Sequence, residues 1–197
     1  MKKKLGIIII GIFLLIISFF IDEEIFNLIE IIKNPFLDIF TSWVISFITV
    51  FVILIFITSL FLWKERKREY IPILWLWFIS SILISFILKF IVTRPRPFAV
   101  YYYPLINIIS YSFPSMHAMV AFAALPILDK EFPKFKWFWF LFALLVSFSR
   151  IYNGMHYISD VVFGALLGYF IGLFFIFLED KYKLFKKFNI FKNATRD

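Results

Sequence analysis

The sequence predicts an all-α integral membrane protein, with six transmembrane helices, one further helix lying in the membrane interface, and both termini cytoplasmic. Three observations predict it. Apolar runs long enough to cross a bilayer recur along the chain, about 18 to 20 residues each being the requirement. The composition is 62% hydrophobic with 30 phenylalanines, more apolar surface than a water-soluble domain needs. The lysines and arginines fall in short clusters between the apolar runs, where they act as topology signals. That clustering also argues against a nucleic-acid partner despite a net charge of +8. No Ser/Gly/Pro-rich linker interrupts residues 1–197, so a single membrane domain is expected. The absence of cysteine excludes disulfides and thiolate metal sites.

The first span, residues 5–21, follows Met1-Lys2-Lys3-Lys4 and resembles a signal core. It is long for one, and acidic Asp22-Glu23-Glu24 follows instead of a small-residue cleavage site, so it reads as a retained helix. Residues 22–38 are too polar to span, but Ile25, Leu28, Ile31 and Ile32 recur at helical spacing, which predicts the interfacial helix. The remaining spans are 39–63, 72–91, 115–128, 137–151 and 159–178. The span beginning at Ser115 is short: about 22 Å of helix at 1.5 Å per residue, against a hydrocarbon core of about 30 Å. Its start, with Ser115 and His117, is therefore placed near the headgroups of one leaflet, and Pro126 is positioned to kink or end it.

One set of loops holds Lys2, Lys3, Lys4, then Lys64, Arg66, Lys67 and Arg68, then Lys130, Lys134 and Lys136, then a tail with Lys181, Lys183, Lys186, Lys187, Lys192 and Arg196. The opposite set holds only Lys33, Lys89, Arg94, Arg96 and Arg150. The positive-inside rule puts the larger set in the cytoplasm of a multi-pass plasma-membrane protein, with its tail against anionic lipid. Four of the five opposing cations lie in polar stretches that the topology rule does not explain.

Those stretches are Lys89 with Arg96-Pro97, then Pro114-Ser115-Met116-His117, then Ser149-Arg150 with His156 and Asp160. Each has a functional and a plainer reading. On a helix, His156 and Asp160 at i, i+4 share a face, where the carboxylate fixes the imidazole tautomer and frees the other nitrogen as a nucleophile. The plainer reading is a helix-start carboxylate near a headgroup-facing histidine. Ser115 is a good N-cap, and a helix N-terminus offers free N–H groups to an anion, with His117 placed to donate a proton. The plainer reading is a capped helix with an incidental histidine. Pro95 and Pro97 stiffen the loop that carries Arg96, whose fork suits phosphate oxygens. Snorkelling at the membrane boundary is the plainer reading of Lys89 and the sufficient one for Arg94. Arg150, at the end of an apolar run, is expected to face the bundle interior. Taken together, all these residues fall on one side of the membrane. Four cations, two histidines and one carboxylate suit a phosphate dianion; they do not suit a metal, for which carboxylates are too few.

In order and spacing, the three stretches resemble the signature motifs of the type-2 phosphatidic acid phosphatase superfamily. The resemblance implies a membrane lipid phosphatase that needs no metal or other cofactor. In it His156 attacks phosphorus, Asp160 orients His156, and His117 protonates the leaving oxygen and then activates water. Lys89, Arg96, Ser115, Arg150 and the backbone N–H of Met116 would hold the phosphate oxygens. The substrates implied are a polyprenyl diphosphate, phosphatidate or phosphatidylglycerol phosphate. The family usually has glycine where Met116 stands, which leads us to expect side-chain bulk at the pocket and an altered substrate fit. Two other readings use the same residues: a phosphotransferase that passes the phosphoryl group to an alcohol or sugar, and a small transporter of anionic lipid. The sequence shows no internal repeat of the kind transporters use.

Overall fold

A computed structural model describes residues 2–44, 46–65, 67–97 and 111–183. Arg66 and the tail cations Lys186, Lys187, Lys192 and Arg196 lie outside them. Among the described residues every regular element is helical. Helix α1 (Lys2–Phe20) and the amphipathic α2 (Asp22–Ile32) cover the residues expected for the first span and the interfacial helix. After α3 (Pro35–Ile39) and a broken segment containing α4 (Phe47–Phe51) and α5 (Thr58–Lys64) come four longer helices. These are α6 (Tyr70–Val92), α7 (Met116–Glu131), α8 (Lys136–Tyr152) and α9 (Ile158–Tyr182). Three runs, Tyr70–Val92, Pro133–Tyr152 and Ile158–Tyr182, are long and apolar enough to cross a membrane, and Ile9–Phe20 and Ile48–Lys64 are shorter apolar helices. Large apolar side chains such as Ile10, Phe13, Phe20, Leu83, Ile87 and Phe138 stand more than half exposed, as lipid-facing surface does.

The second span departs from the expectation of one helix over 39–63. It is interrupted by π-helical turns at Phe40–Val44 and Val52–Ile57. Its hydroxyl side chains bond to the backbone and perturb the regular ladder. Thr41 Oγ1 donates to Leu37 O at 2.7 Å, and Thr58 Oγ1 to Ile53 O at 3.1 Å. Ser46 is extended and accepts from Thr49 N at 3.3 Å, starting a new helix there.

Helix α7 forms the centre of the bundle, packed by α6, α8 and α9, with α1 outside α9. Met119, Val120, Ile127 and Leu128 are fully buried against Leu74, Trp77 and Val146. Pro126 remains inside α7, which runs on to Glu131. The tightest seam is between α7 and α9. A Cβ added at Gly164, Gly168 or Gly172 would lie 2.6, 2.0 or 2.3 Å from the backbone oxygens of Ser115, Met119 and Ala123. Glycine at every fourth position thus lets the two backbones touch, as in small-xxx-small membrane helix pairs. At one end of the bundle Lys67–Glu131 (3.0 Å), Lys130–Asp180 (2.5 Å) and Lys136–Asp129 (3.6 Å) connect the helix ends. The other end carries the motif residues.

Candidate active site

Helix α6 presents Lys89 inward. The i, i+4 row Trp77, Ser81, Ser85 and Lys89 is buried along the helix, with Lys89 only 4% exposed. Its ammonium does not snorkel; it donates to the carbonyl of Tyr111 at 2.5 Å and to that of Ser112 at 3.3 Å. Thr93 ends α6 with φ 49, its N–H on Lys89 O at 3.0 Å. A left-handed conformation is strained for a β-branched residue and redirects the chain into Arg94-Pro95-Arg96-Pro97. Ser112 N donates to Arg94 O at 2.8 Å and clips this loop to the approach of the second stretch. Arg96 Nη1 reaches Met155 O at 3.2 Å.

The Phe113–Pro114 peptide is cis, and Ser115 follows as the extended N-cap of α7. Ser115 Oγ is buried and caps nothing. Ser115 N donates to Asp160 O at 3.1 Å, joining the second stretch to the third through the α7–α9 seam. His117, one residue into α7, has Nε2 at 3.3 Å from Arg150 Nη1.

Helix α8 ends at Tyr152. Gly154 takes φ 63, and the N–H groups of Met155 and His156 both bond to Arg150 O, at 3.1 and 3.2 Å. His156 is therefore in a tight turn before α9, not on a helix as the i, i+4 reading assumed; extended Tyr157 separates it from the helix start. His156 Nδ1 still faces Asp160 Oδ2, at 3.7 Å, beyond hydrogen-bond range. His156 is 4% exposed and its Nδ1 has no hydrogen-bond partner. Burial above all pushes its imidazole down to about 4, Lys89 and Arg96 add to this, and Asp160 opposes it.

Two residues that sequence reasoning missed complete the site. Arg94 is no surface cation: Nη1 donates to Asp160 Oδ1 at 2.8 Å and Nη2 to Asp22 Oδ2 at 2.7 Å. Burial opposes its charge, but Asp22 and Asp160 together hold the guanidinium above its ordinary range. The site thus has a second carboxylate, from the junction of α1 and α2. The signal for it was an acid directly after the apolar run of span one, on the same side as the motifs. An outer clamp was also missed. Tyr152 OH donates to Asp38 Oδ1 at 3.0 Å and accepts from Asn34 N at 2.9 Å, while Thr41 Oγ1 lies 2.9 Å from Asn153 Oδ1.

A cavity of about 450 Å³ opens beside this cluster, lined by Ser42, Ser46, His117, Arg150, Asn153 and Met155. Met116 is not among the lining residues; its half-buried side chain packs against the apolar core. Met155 is the methionine that lines this cavity.

The gathered donors, two histidines and a held carboxylate suit the binding of an anionic ester. The undecaprenyl-diphosphatase of Sulfolobus acidocaldarius is 31% identical over 137 residues, 62% of this chain and 62% of that one, so the match spans under two thirds of the relative. The fold matches the crystal structure of a transmembrane PAP2-type phosphatidylglycerolphosphate phosphatase from Bacillus subtilis with a TM-score of 0.70 at 24% identity, covering 94% of this chain and 100% of that one. It also matches Aquifex aeolicus LpxE, with a TM-score of 0.63 at 30% identity, covering 79% and 94%. The PAP2 superfamily model matches residues 69–183, more than half the chain and all three motif stretches; the chain belongs to the PAP2 superfamily.

Proposed function

We propose that the protein hydrolyses a lipid phosphate or diphosphate ester, without a metal, at the extracytoplasmic face of the plasma membrane. The observation that carries this reading is the placement of the two histidines. His117 lies on the wall of the open cavity, and His156 lies buried behind it against Asp160. Nε2 of neutral His156 attacks phosphorus, the P–O bond to the leaving group breaks, and His117 gives its proton to the departing oxygen. His117 then takes a proton from water, the hydroxide forms a new P–O bond, and the P–N bond breaks to release inorganic phosphate. Lys89, Arg96, Ser115, Arg150 and the Met116 N–H hold the oxygens that gain charge. On this reading the cavity lined by His117 is the leaving-group side, where Ser42, Ser46 and Asn153 meet the lipid.

Six spans with cytoplasmic termini belong to the same proposal. The charge asymmetry of the loops supports them. The candidate substrates are a polyprenyl diphosphate, phosphatidate and phosphatidylglycerol phosphate; two of the three similar proteins carry names for chemistry of this class. The test is phosphate release from these lipids in detergent with EDTA, comparing the native chain with His156→Ala. Release that persists in EDTA and disappears in the variant is expected. A phosphorylated acceptor formed in place of free phosphate would show a transferase, and intact lipid moved across proteoliposomes without release would show a transporter.

A further inference from the structure

We propose that Asp22 and Arg94 are positioning residues for the reaction: Asp22 holds Arg94, and Arg94 fixes the carboxylate of Asp160 in its orientation toward His156. This rests on the reading of His156 as nucleophile. Asp22 lies outside the stretch that the family model matches, at the start of α2, and the motifs alone do not predict it.

The geometry is closed at every atom. Asp22 is 6% exposed, and Ser159 and Asp160 are fully buried. Asp22 Oδ1 accepts from Ser159 N at 2.9 Å, and its Oδ2 accepts from Ser159 Oγ at 2.6 Å and from Arg94 Nη2 at 2.7 Å. Arg94 Nη1 donates to Ser159 Oγ at 2.7 Å and to Asp160 Oδ1 at 2.8 Å. Tyr157 N donates to Asp160 Oδ2 at 2.9 Å. The guanidinium lies 4.1 Å above the Tyr157 ring, and the backbone carbonyl of Arg94 accepts from Ser112 N. Both oxygens of Asp160 are thus anchored by donors other than His156, so the carboxylate cannot rotate away from the imidazole 3.7 Å from it. Two buried carboxylates this close need a shared cation, and the planar fork of arginine can bridge both while lysine cannot. Asp22 also stands at the N-terminus of α9, so a purely structural cap is the competing role.

The two roles separate on pH dependence. The charged or titratable groups around His156 are Lys89 from α6, Arg96 from its loop, His117 from α7 and Asp160 from α9, with Arg94 behind Asp160. Removing the Arg94 cation leaves Asp160 less neutralised and favours the imidazolium, so the acid limb of kcat/KM moves to higher pH.

The experiment uses the purified full chain in detergent, with farnesyl diphosphate and dioctanoyl phosphatidate as probes and folding checked by gel filtration and Tm. Arg94→Gln is expected to lower kcat about 100-fold with little change in KM, the scale of a small misplacement of a reacting group, and to raise the acid limb by about one pH unit. Arg94→Lys keeps the charge without the fork: kcat falls about tenfold and the limb stays in place. Asp22→Asn should also lower kcat about tenfold. If Arg94→Gln does not fold, Arg94→Lys and Asp22→Asn decide the matter. Native kcat and an unmoved limb in a folded Arg94→Gln, or a lowered Tm with native kcat in the other two, would overturn the proposal and leave a cap. His156→Ala is run in parallel. Activity surviving there removes the phosphohistidine reading itself; an inactive His156→Ala beside a native-like Arg94→Gln removes only the positioning role.

Discussion

On the proposed mechanism two requirements conflict at His156: the attacking nitrogen must be neutral, yet a carboxylate stands 3.7 Å from the other one. Burial decides, and pushes the imidazole down to about 4. The acid limb of kcat/KM should therefore lie near pH 4, with activity lost as pH falls through that value; an acid limb at the ordinary histidine value of about 6.5 would contradict the assignment. Stability carries the same sign. The unfolded histidine takes a proton near 6.5 and the folded one only near 4, so His156 lowers stability as pH falls between those values. The histidines and the cations assigned to the phosphate under the proposed function stood out in the sequence because polar residues in apolar runs need a reason to be there. Arg94 was not legible, since a cation at a membrane boundary has an adequate reading as a snorkelling side chain. Only the fold shows Asp22 on its other side.

Among the elements, the α7–α9 seam sets the distance between the second and third motifs. A Cβ at Gly168 would lie 2.0 Å from Met119 O, a backbone atom that cannot swing aside. Gly168→Ala should spread the pair, break the Ser115 N to Asp160 O bond, and reduce both Tm and kcat by an overpacking effect of about 1–3 kcal/mol in stability. A thermal melt beside a phosphate-release assay measures both. Gly6→Ala, with nothing within 4 Å of the added carbon, is the control expected to be silent. The spacing of Gly164, Gly168 and Gly172 was visible in the sequence, but three glycines in an apolar run do not say which helix they face. The broken second span was hidden for a different reason. Hydropathy reports only that residues 39–63 are apolar, whereas the π turns follow from single hydroxyls such as Thr58 Oγ1 bonding to Ile53 O.

Across the whole molecule, Lys89 near the end of α6, His117 at the start of α7, Arg150 near the end of α8 and His156 before α9 gather at a single end of the bundle. The ion pairs of Lys67, Lys130 and Lys136 occupy the opposite end. In sealed vesicles of one orientation, vanadate should inhibit only from the face where the loops are poor in Lys and Arg. Equal inhibition from both faces would contradict the proposed orientation. The gathering of the reactive groups at one end has a further consequence. On the proposed activity and orientation, catalysis is vectorial: the freed anion is discharged where the ester was cut, and the lipid that remains stays in that leaflet until it crosses by another route.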